Sequence, residues 1–224
     1  LSGLVVTRAG HGPVSGPLDP RLRLIEAGHP VPDLQSISAA REALNMAEAL
    51  VPGDRMLMLV SGGGSALMAL PAVGVTLADK QAITSALLRS GAMISEINCV
   101  RKHLSRVKGG RLAVAAAPAI VQTLVISDIP GDDPSFVASG PTLADRSTLA
   151  EAREIVTRYQ IDLPDPVRRA LADPANETPP PDMLGLAGSE ATIIARARDA
   201  LKAAVRLVES FGYSAINLGD RLQA

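Results

Sequence analysis

Short apolar runs of β type alternate along this chain with stretches whose apolar positions recur every third and fourth residue, the pattern of an α/β layered domain. Residues 4–7, 22–26, 56–60 and 121–126 read as strands, and 192–194 and 214–218 as weaker ones. Asp33 or Ser36 can cap a helix that carries Leu34, Ile37, Ala40, Leu44, Ala47 and Leu50 on one stripe and ends at Pro52 and Gly53. Thr76 with Asp79, and Thr148 with Glu151, have capping-box spacing. The first opens a helix turning Leu77, Ile83, Leu87 and Leu88 inward; the second opens one bearing Ile155, Val156 and Tyr159. A last helix, roughly 195–210, stops at Gly212, which suits a left-handed turn. Residues 173–182, with Pro174 and Pro179-Pro180-Pro181, cannot continue a helix and read as an exposed linker or long loop. The sequence contains no internal repeat.

One segment departs from this plain alternation. If residues 97–108 are helical, about 100° per residue puts Asn98, Arg101, Ser105 and Lys108 on a single stripe beside the apolar Ile97, Val100, Leu104 and Val107. Gly109 and Gly110 follow at once. Cations half-buried on such a seam need an anionic partner, either a protein carboxylate or a bound phosphate or carboxylate. Lys102, His103 and Arg106 would point the other way, into solvent. The alternative is an ordinary basic amphipathic helix.

With 224 residues the chain can bury a large core, as one domain or one domain and part of another. A formal net charge of −1 with 20% charged residues argues against a nucleic-acid binder. The single Cys99 excludes an internal disulfide framework and multi-cysteine metal sites, which fits a reducing, cytoplasmic setting. No apolar run approaches the roughly 18 residues of a spanning helix, so no membrane partner is expected. Only 2% aromatic residues and no Trp argue against stacking platforms for bases. The chain opens at Leu1 almost directly into a strand, and Ala224 follows closely on another, so it reads as an excerpt of a longer protein.

Two strand ends carry candidate chemistry. The run 56–60 leads into Ser61-Gly62-Gly63-Gly64-Ser65 and then a helix-compatible stretch. Consecutive glycines there let backbone N–H groups converge on a phosphate, at the strand end where open α/β sheets bind ligands. The loop has neither the Lys of a Walker motif nor dinucleotide G-x-G-x-x-G spacing. The run 121–126 leads into Ser127-Asp128-Ile129-Pro130-Gly131-Asp132-Asp133. Three carboxylates so close repel unless a cation neutralises them, and Mg²⁺ takes one or two carboxylates plus phosphate oxygens; a solvated acidic turn is the alternative. Ser139 and Gly140 would add hydroxyl and amide donors. Ser105-x-x-Lys108 matches a serine acyl-transfer motif but lacks its S-D-N and K-T-G partners. Three histidines in all argue against a His-based zinc site. His29, rigidly set in Gly28-His29-Pro30-Val31-Pro32-Asp33, either lines a cleft or caps the following helix.

Four stretches in this order, residues 28–33, SGGGSAL at 61–67, NCVRKHLSRVKGGRLA at 98–113 and SDIPGDDPSFVASGPT at 127–142, resemble the glycerate 2-kinase family, whose members often carry the name hydroxypyruvate reductase. The resemblance covers essentially the whole chain. It implies a Rossmann-like layered N-terminal domain with a mostly parallel sheet flanked by helices, and a smaller C-terminal domain that would begin after Ala224. It implies ATP- and Mg²⁺-dependent phosphorylation of D-glycerate at its 2-hydroxyl. By the same resemblance residues 61–65 would hold phosphate together with Gly109, Gly110, Ser139 and Gly140. Arg101 and Lys108, helped by Asn98, Ser105 and His29, would meet the glycerate carboxylate or the transferring phosphoryl group. Asp128, Asp132 and Asp133 would engage metal, with Asp132 also catalytic. The partners expected are a small hydroxy acid and a nucleotide, with a homodimer left open. The family's Gly-Lys-Ala stretch has no counterpart before Leu1, so this excerpt alone is expected to lack activity. Two other functions stay open: an NAD(P)H-dependent hydroxypyruvate reductase, and a non-catalytic phosphate- or nucleotide-binding fragment.

Overall fold

The computed structural model describes residues 1–13 and 16–219. Among these, five strands form two parallel sheets rather than one: β1 (Gly3–Arg8) pairs with β2 (Leu22–Ala27), and β3 (Arg55–Val60), β4 (Ile120–Ser127) and β5 (Glu190–Arg196) pair in that order. The helices are α1 (Leu34–Glu48), α2 (Gly64–Leu67), α3 (Leu77–Arg89), α4 (Ile94–His103), α5 (Arg111–Ala115), α6 (Leu149–Arg158), α7 (Asp165–Ala172) and α8 (Ala197–Ser210). The result is an α/β fold with parallel sheets flanked by helices.

Local chemistry accounts for the helix starts. Asp33 and Ser36 both serve α1: the Asp33 carboxylate accepts from the Ser36 N–H at 2.9 Å, and Ser36 Oγ accepts from the Asp33 N–H at 3.0 Å. Thr76 with Asp79 and Thr148 with Glu151 close the same reciprocal box on α3 and α6. Each satisfies backbone donors that a helix cannot bond internally. Leu88 does not turn inward with Ile83 and Leu87 but is 59% exposed, because the next residue of a helix points about 100° away. Residues 195–196 complete β5, so α8 starts at Ala197, and residues 214–218 form no strand because no neighbouring strand pairs with them.

Among the described residues two large apolar cores divide the helices, beside a smaller cluster of Val60, Val125, Val137 and Ala138. Ile83 and Leu87 of α3, Ile97 and Val100 of α4, Ile155 of α6, and Val167 and Leu171 of α7 form the first. Leu44 of α1, Met68, Val107, Leu112 of α5 and Val121 of β4 form the second. Residues 104–107 lie between them and are not helical. After Leu104 the chain bonds to residues 70–72 instead, with the Arg106 N–H donating to the Leu70 carbonyl and the Ala72 N–H to the Leu104 carbonyl. No described helix is long and apolar enough to cross a membrane.

Candidate active site

In the parallel ladder Leu59 stands opposite Leu124 and Val60 opposite Val125, so the loops after β3 and β4 leave the sheet at the same edge. The chain turns through Ser61 and Gly62 to Gly63, whose φ of 80° lies in the left-handed region that favours glycine. Each glycine faces a different close neighbour. The Asp128 carboxylate occupies the space a side chain on Gly62 would need. A Cβ on Gly63 would stand 2.9 Å from His29 Nε2, and one on Gly64 would stand 2.8 Å from the Ala138 Cβ. The loop thus brings together two segments far apart in sequence, residues 28–33 and 127–142. His29 lies against the glycine loop; the cap of α1 is Asp33.

The basic segment reaches the same loop. Arg101 donates from Nη2 to Ser65 Oγ at 2.7 Å and from Nη1 to Asn98 Oδ1 at 3.3 Å, and Ser65 Oγ lies 2.9 Å from Ser139 Oγ. Ser139 and Ala138 are non-glycine residues with φ of 64° and 52°, backbone strain that the surrounding contacts hold in place. Lys108 is 1% exposed, and its Nζ donates to the carbonyls of Ser65 at 2.8 Å and Met68 at 3.1 Å. No carboxylate pairs with Arg101 or Lys108 among the described residues.

Lys80 completes this group of cations. It is 3% exposed and donates from Nζ to the carbonyls of Leu104 at 2.8 Å and Arg101 at 3.4 Å. Burial, with repulsion from Arg101 and Arg111, pushes its pKa down to about 7. Burial, with repulsion from Arg101 and Lys80, likewise holds Lys108 well below the ordinary lysine value, and burial lowers Arg101. Desolvated cations of this kind cost folding energy unless an anion lies beside them.

The lysine shifts have a consequence for stability. Both folded-state values lie below the ordinary 10.5 of the unfolded chain, so between them the unfolded state binds more protons and unfolding free energy rises with pH. For Lys80 the window runs from about 7 to 10.5. Urea midpoints of the ligand-free protein should therefore rise between about pH 7 and about pH 9, and rise less in Lys80→Met. Equal slopes in the two proteins would mean that Lys80 keeps its proton throughout.

Several residues sit otherwise than their sequence positions suggest. Because α4 ends at His103, the stripe expected from Asn98 to Lys108 breaks: Ser105 is buried, 3.4 Å from the Leu70 carbonyl and turned from the loop, whereas Lys108 returns to it through the turn. Lys102 and His103 are buried rather than solvated. Lys102 pairs with Asp145 at 2.9 Å and lies over the Phe136 ring, and His103 Nε2 lies 3.0 Å from Glu177. Gly109 and Gly110 spend their N–H groups on the carbonyls of Ser139 and Gly140, so they fasten the two segments and offer no donor to a phosphate. The three carboxylates do not converge. Asp132 lies between Arg196 at 3.4 Å and Arg198 at 3.5 Å, and Asp133 accepts from the Ser135 N–H and Oγ. Asp128 alone faces the glycines, and no group of three or more metal-ligating side chains forms among the described residues. Residues 173–182 form a largely exposed loop with a 3-10 turn at Pro174–Asn176, and it is tied down: Arg111 Nη2 grips the carbonyls of Asn176 and Glu177, and Glu177 accepts from the first N–H of α6.

Lys80 and Asp145 escape a reading of motifs, and Arg111, though inside the 98–113 stretch, is not singled out by one. Lys80 leaves one trace, since it shares a stripe with Ile83 and Leu87 where an apolar residue would be expected. Asp145 and Arg111 leave none, because their partners lie 43 and 65 residues away.

Comparison with known proteins supports the assembly of these segments. The chain is 50% identical over 223 residues to a putative hydroxypyruvate reductase of Agrobacterium vitis, covering 100% of this chain and 56% of that protein. It is 48% identical over 177 residues to the D-glycerate 2-kinase of Thermotoga maritima, covering 79% of this chain and 41% of that protein. The crystal structure of a Thermotoga maritima glycerate kinase superposes with a TM-score of 0.82 at 43% identity, over 96% of this chain and 50% of that one. The chain spans about half the length of the curated relatives it matches. Residues 1–172 match the family model described as a domain of unknown function, DUF4147, and the chain belongs to that family.

Proposed function

We propose that this chain carries the glycine loop and the anion-binding cations of a D-glycerate 2-kinase, which transfers the γ-phosphoryl group of ATP to the 2-hydroxyl of D-glycerate. The observation that carries the reading is the meeting of Arg101, Lys108 and Ser65 on the SGGGS loop with no carboxylate among the described residues to neutralise them. Phosphoryl transfer needs positioning and charge stabilisation more than covalent chemistry from the protein, and buried cations on a glycine loop suit it. The substrate hydroxyl oxygen forms a bond to the γ-phosphorus as the bond to the ADP oxygen breaks, and the hydroxyl proton leaves to a base or to water. Arg101 can grip the glycerate carboxylate or the moving phosphoryl group with its free donors. Lys108 holds the turn that presents Ser65 and adds positive charge behind it. Among the described residues Asp128 is the carboxylate that would hold Mg²⁺ beside the glycine loop, and the ion when bound would neutralise phosphate charge.

The reductase reading rests on the names of the Agrobacterium relatives. Against it, a nicotinamide site of the usual α/β kind needs G-x-G-x-x-G spacing, which SGGGS lacks. The full-length protein should release ADP from ATP and Mg²⁺ only when D-glycerate is present. Hydroxypyruvate-dependent oxidation of NADH or NADPH without glycerate-dependent ADP would sink the kinase reading. Arg101→Lys is expected to raise KM for glycerate about tenfold, because an ammonium cannot make the paired bonds of a planar guanidinium. Unchanged kinetics would remove Arg101 from substrate binding. Asp128→Asn should raise the Mg²⁺ concentration needed for half-maximal turnover, and an unaltered requirement would assign the metal to the nucleotide alone.

A further inference from the structure

Lys80 is a buried cation to which phosphoryl transfer as described above gives no task. It lies near the start of α3 on the stripe of Ile83 and Leu87, where an apolar side chain would pack without a desolvation penalty. At 3% exposed it pairs with no carboxylate among the described residues. Its acceptors are instead two carbonyls at the end of α4: Leu104, which caps that helix, at 2.8 Å, and Arg101 at 3.4 Å. Carbonyls at a helix C-terminus have no partner within their own helix, and a cation is favoured at that end of its dipole. Arg111 adds to the collar, with Nη1 3.4 Å from the Lys102 carbonyl. Arg101 is thereby held at both ends, its backbone by Lys80 and its guanidinium by Ser65 at 2.7 Å and Asn98 at 3.3 Å. The next residue of α3 makes a parallel tie. Gln81 Nε2 donates to the Pro32 carbonyl at 2.7 Å, within the 28–33 stretch whose His29 stands against Gly63. Through two adjacent side chains α3 therefore braces two of the segments that meet at the glycine loop.

We propose that Lys80 is a positioning residue for substrate binding: by holding the carbonyls of Arg101 and Leu104 it ends α4 where the Arg101 guanidinium reaches the glycine loop. The choice of D-glycerate as the anion that Arg101 grips rests on the kinase reading above; the bracing of Arg101 does not. Lys80 touches no ligand in this role. Without it the last turn of α4 is free to fray or to run on past His103, and either change moves the guanidinium relative to Ser65, which a bidentate clamp tolerates poorly. The Leu104 carbonyl keeps the Ala72 N–H as a donor, so the chain crossing at residues 70–72 stays closed while the Arg101 carbonyl loses its tie. The same substitution removes a desolvated, unneutralised charge from the core, so stability and substrate affinity are expected to move in opposite directions.

The test is a double-mutant cycle of Lys80→Met and Arg101→Ala in the full-length protein, read by calorimetric titration with D-glycerate in the absence of ATP and by KM and kcat. Lys80→Met should unfold at or above the wild-type temperature at pH 7 and bind D-glycerate about tenfold more weakly, with KM raised by the same factor and kcat changed much less. In the Arg101→Ala background the same substitution should alter D-glycerate affinity less than about twofold, because its effect passes through the guanidinium. Lys80→Gln, uncharged and shorter, repeats the cycle should Lys80→Met fold poorly. Unchanged affinity in Lys80→Met would make Lys80 a structural residue, and an equal loss in both backgrounds would make it a charge acting on the anion directly; either overturns the proposal. Glycerate-dependent ADP release with additive losses would leave the kinase reading standing without it. Coupled losses of D-glycerate binding in a protein that makes no ADP would uphold the positioning role while the kinase reading fell.

Discussion

Full-length Lys108→Met is expected to fold normally and to lose about a hundredfold in kcat, equivalent to about 2.7 kcal/mol of transition-state stabilisation. Lys108 is the largest fully buried side chain among the described residues, and its immediate company is carbonyl oxygens and other cations. Removing it leaves the Ser65 and Met68 carbonyls without that donor, a cost of about 1–3 kcal/mol. The variant also no longer desolvates an ammonium beside Arg101 and Lys80, which offsets much of that loss. Fold and turnover therefore separate: thermal unfolding should stay close to wild type while phosphoryl transfer collapses. Near-normal turnover in the folded variant would make Lys108 a structural filler.

Gly63→Val is expected to weaken ATP binding about tenfold or more while the protein remains folded. Two effects act together at this position. Its φ of 80° is strained for any branched side chain, and the added Cβ would press on His29 Nε2 at 2.9 Å, against the face where the loop meets residues 28–33. Gly53→Ala separates the two effects. Its φ is also positive, at 96°, but no atom lies within 4 Å of the added Cβ, so the backbone penalty of roughly 1 kcal/mol should appear without a change in nucleotide affinity. Equal ATP affinity in wild type and Gly63→Val would return the SGGGS loop to an ordinary strand-to-helix turn.

What the sequence makes legible here is mostly local. The first four strand runs, the capping boxes at Thr76 and Thr148 and the glycine loop are each specified by residues a few positions apart, and the structure forms them near their expected places. The juxtaposition of Ser65 with Arg101, 36 residues apart, is legible only through the four-motif resemblance. Periodicity misleads from Ser105 onward, because hydrogen bonds to residues 70–72 win over continuation of α4. It misleads also at Lys102 and His103, whose burial depends on Asp145 and Glu177, carboxylates with no mark in the local pattern. The acidic loop looks like one metal site because its three aspartates are close in sequence. In space Arg196 and Arg198 draw Asp132 away, Ser135 occupies Asp133, and only Asp128 faces the glycines.

The cations on the SGGGS loop are expected to serve phosphoryl transfer to the 2-hydroxyl of glycerate. The most direct measurement is phosphorus NMR of the product formed by the full-length protein from ATP, Mg²⁺ and D-glycerate, set beside the same reaction with Lys108→Met. The wild type should yield 2-phosphoglycerate, and the variant about a hundredfold less of it. A 3-phosphoglycerate product, or ATP left intact while hydroxypyruvate consumes NADH or NADPH, would contradict that expectation.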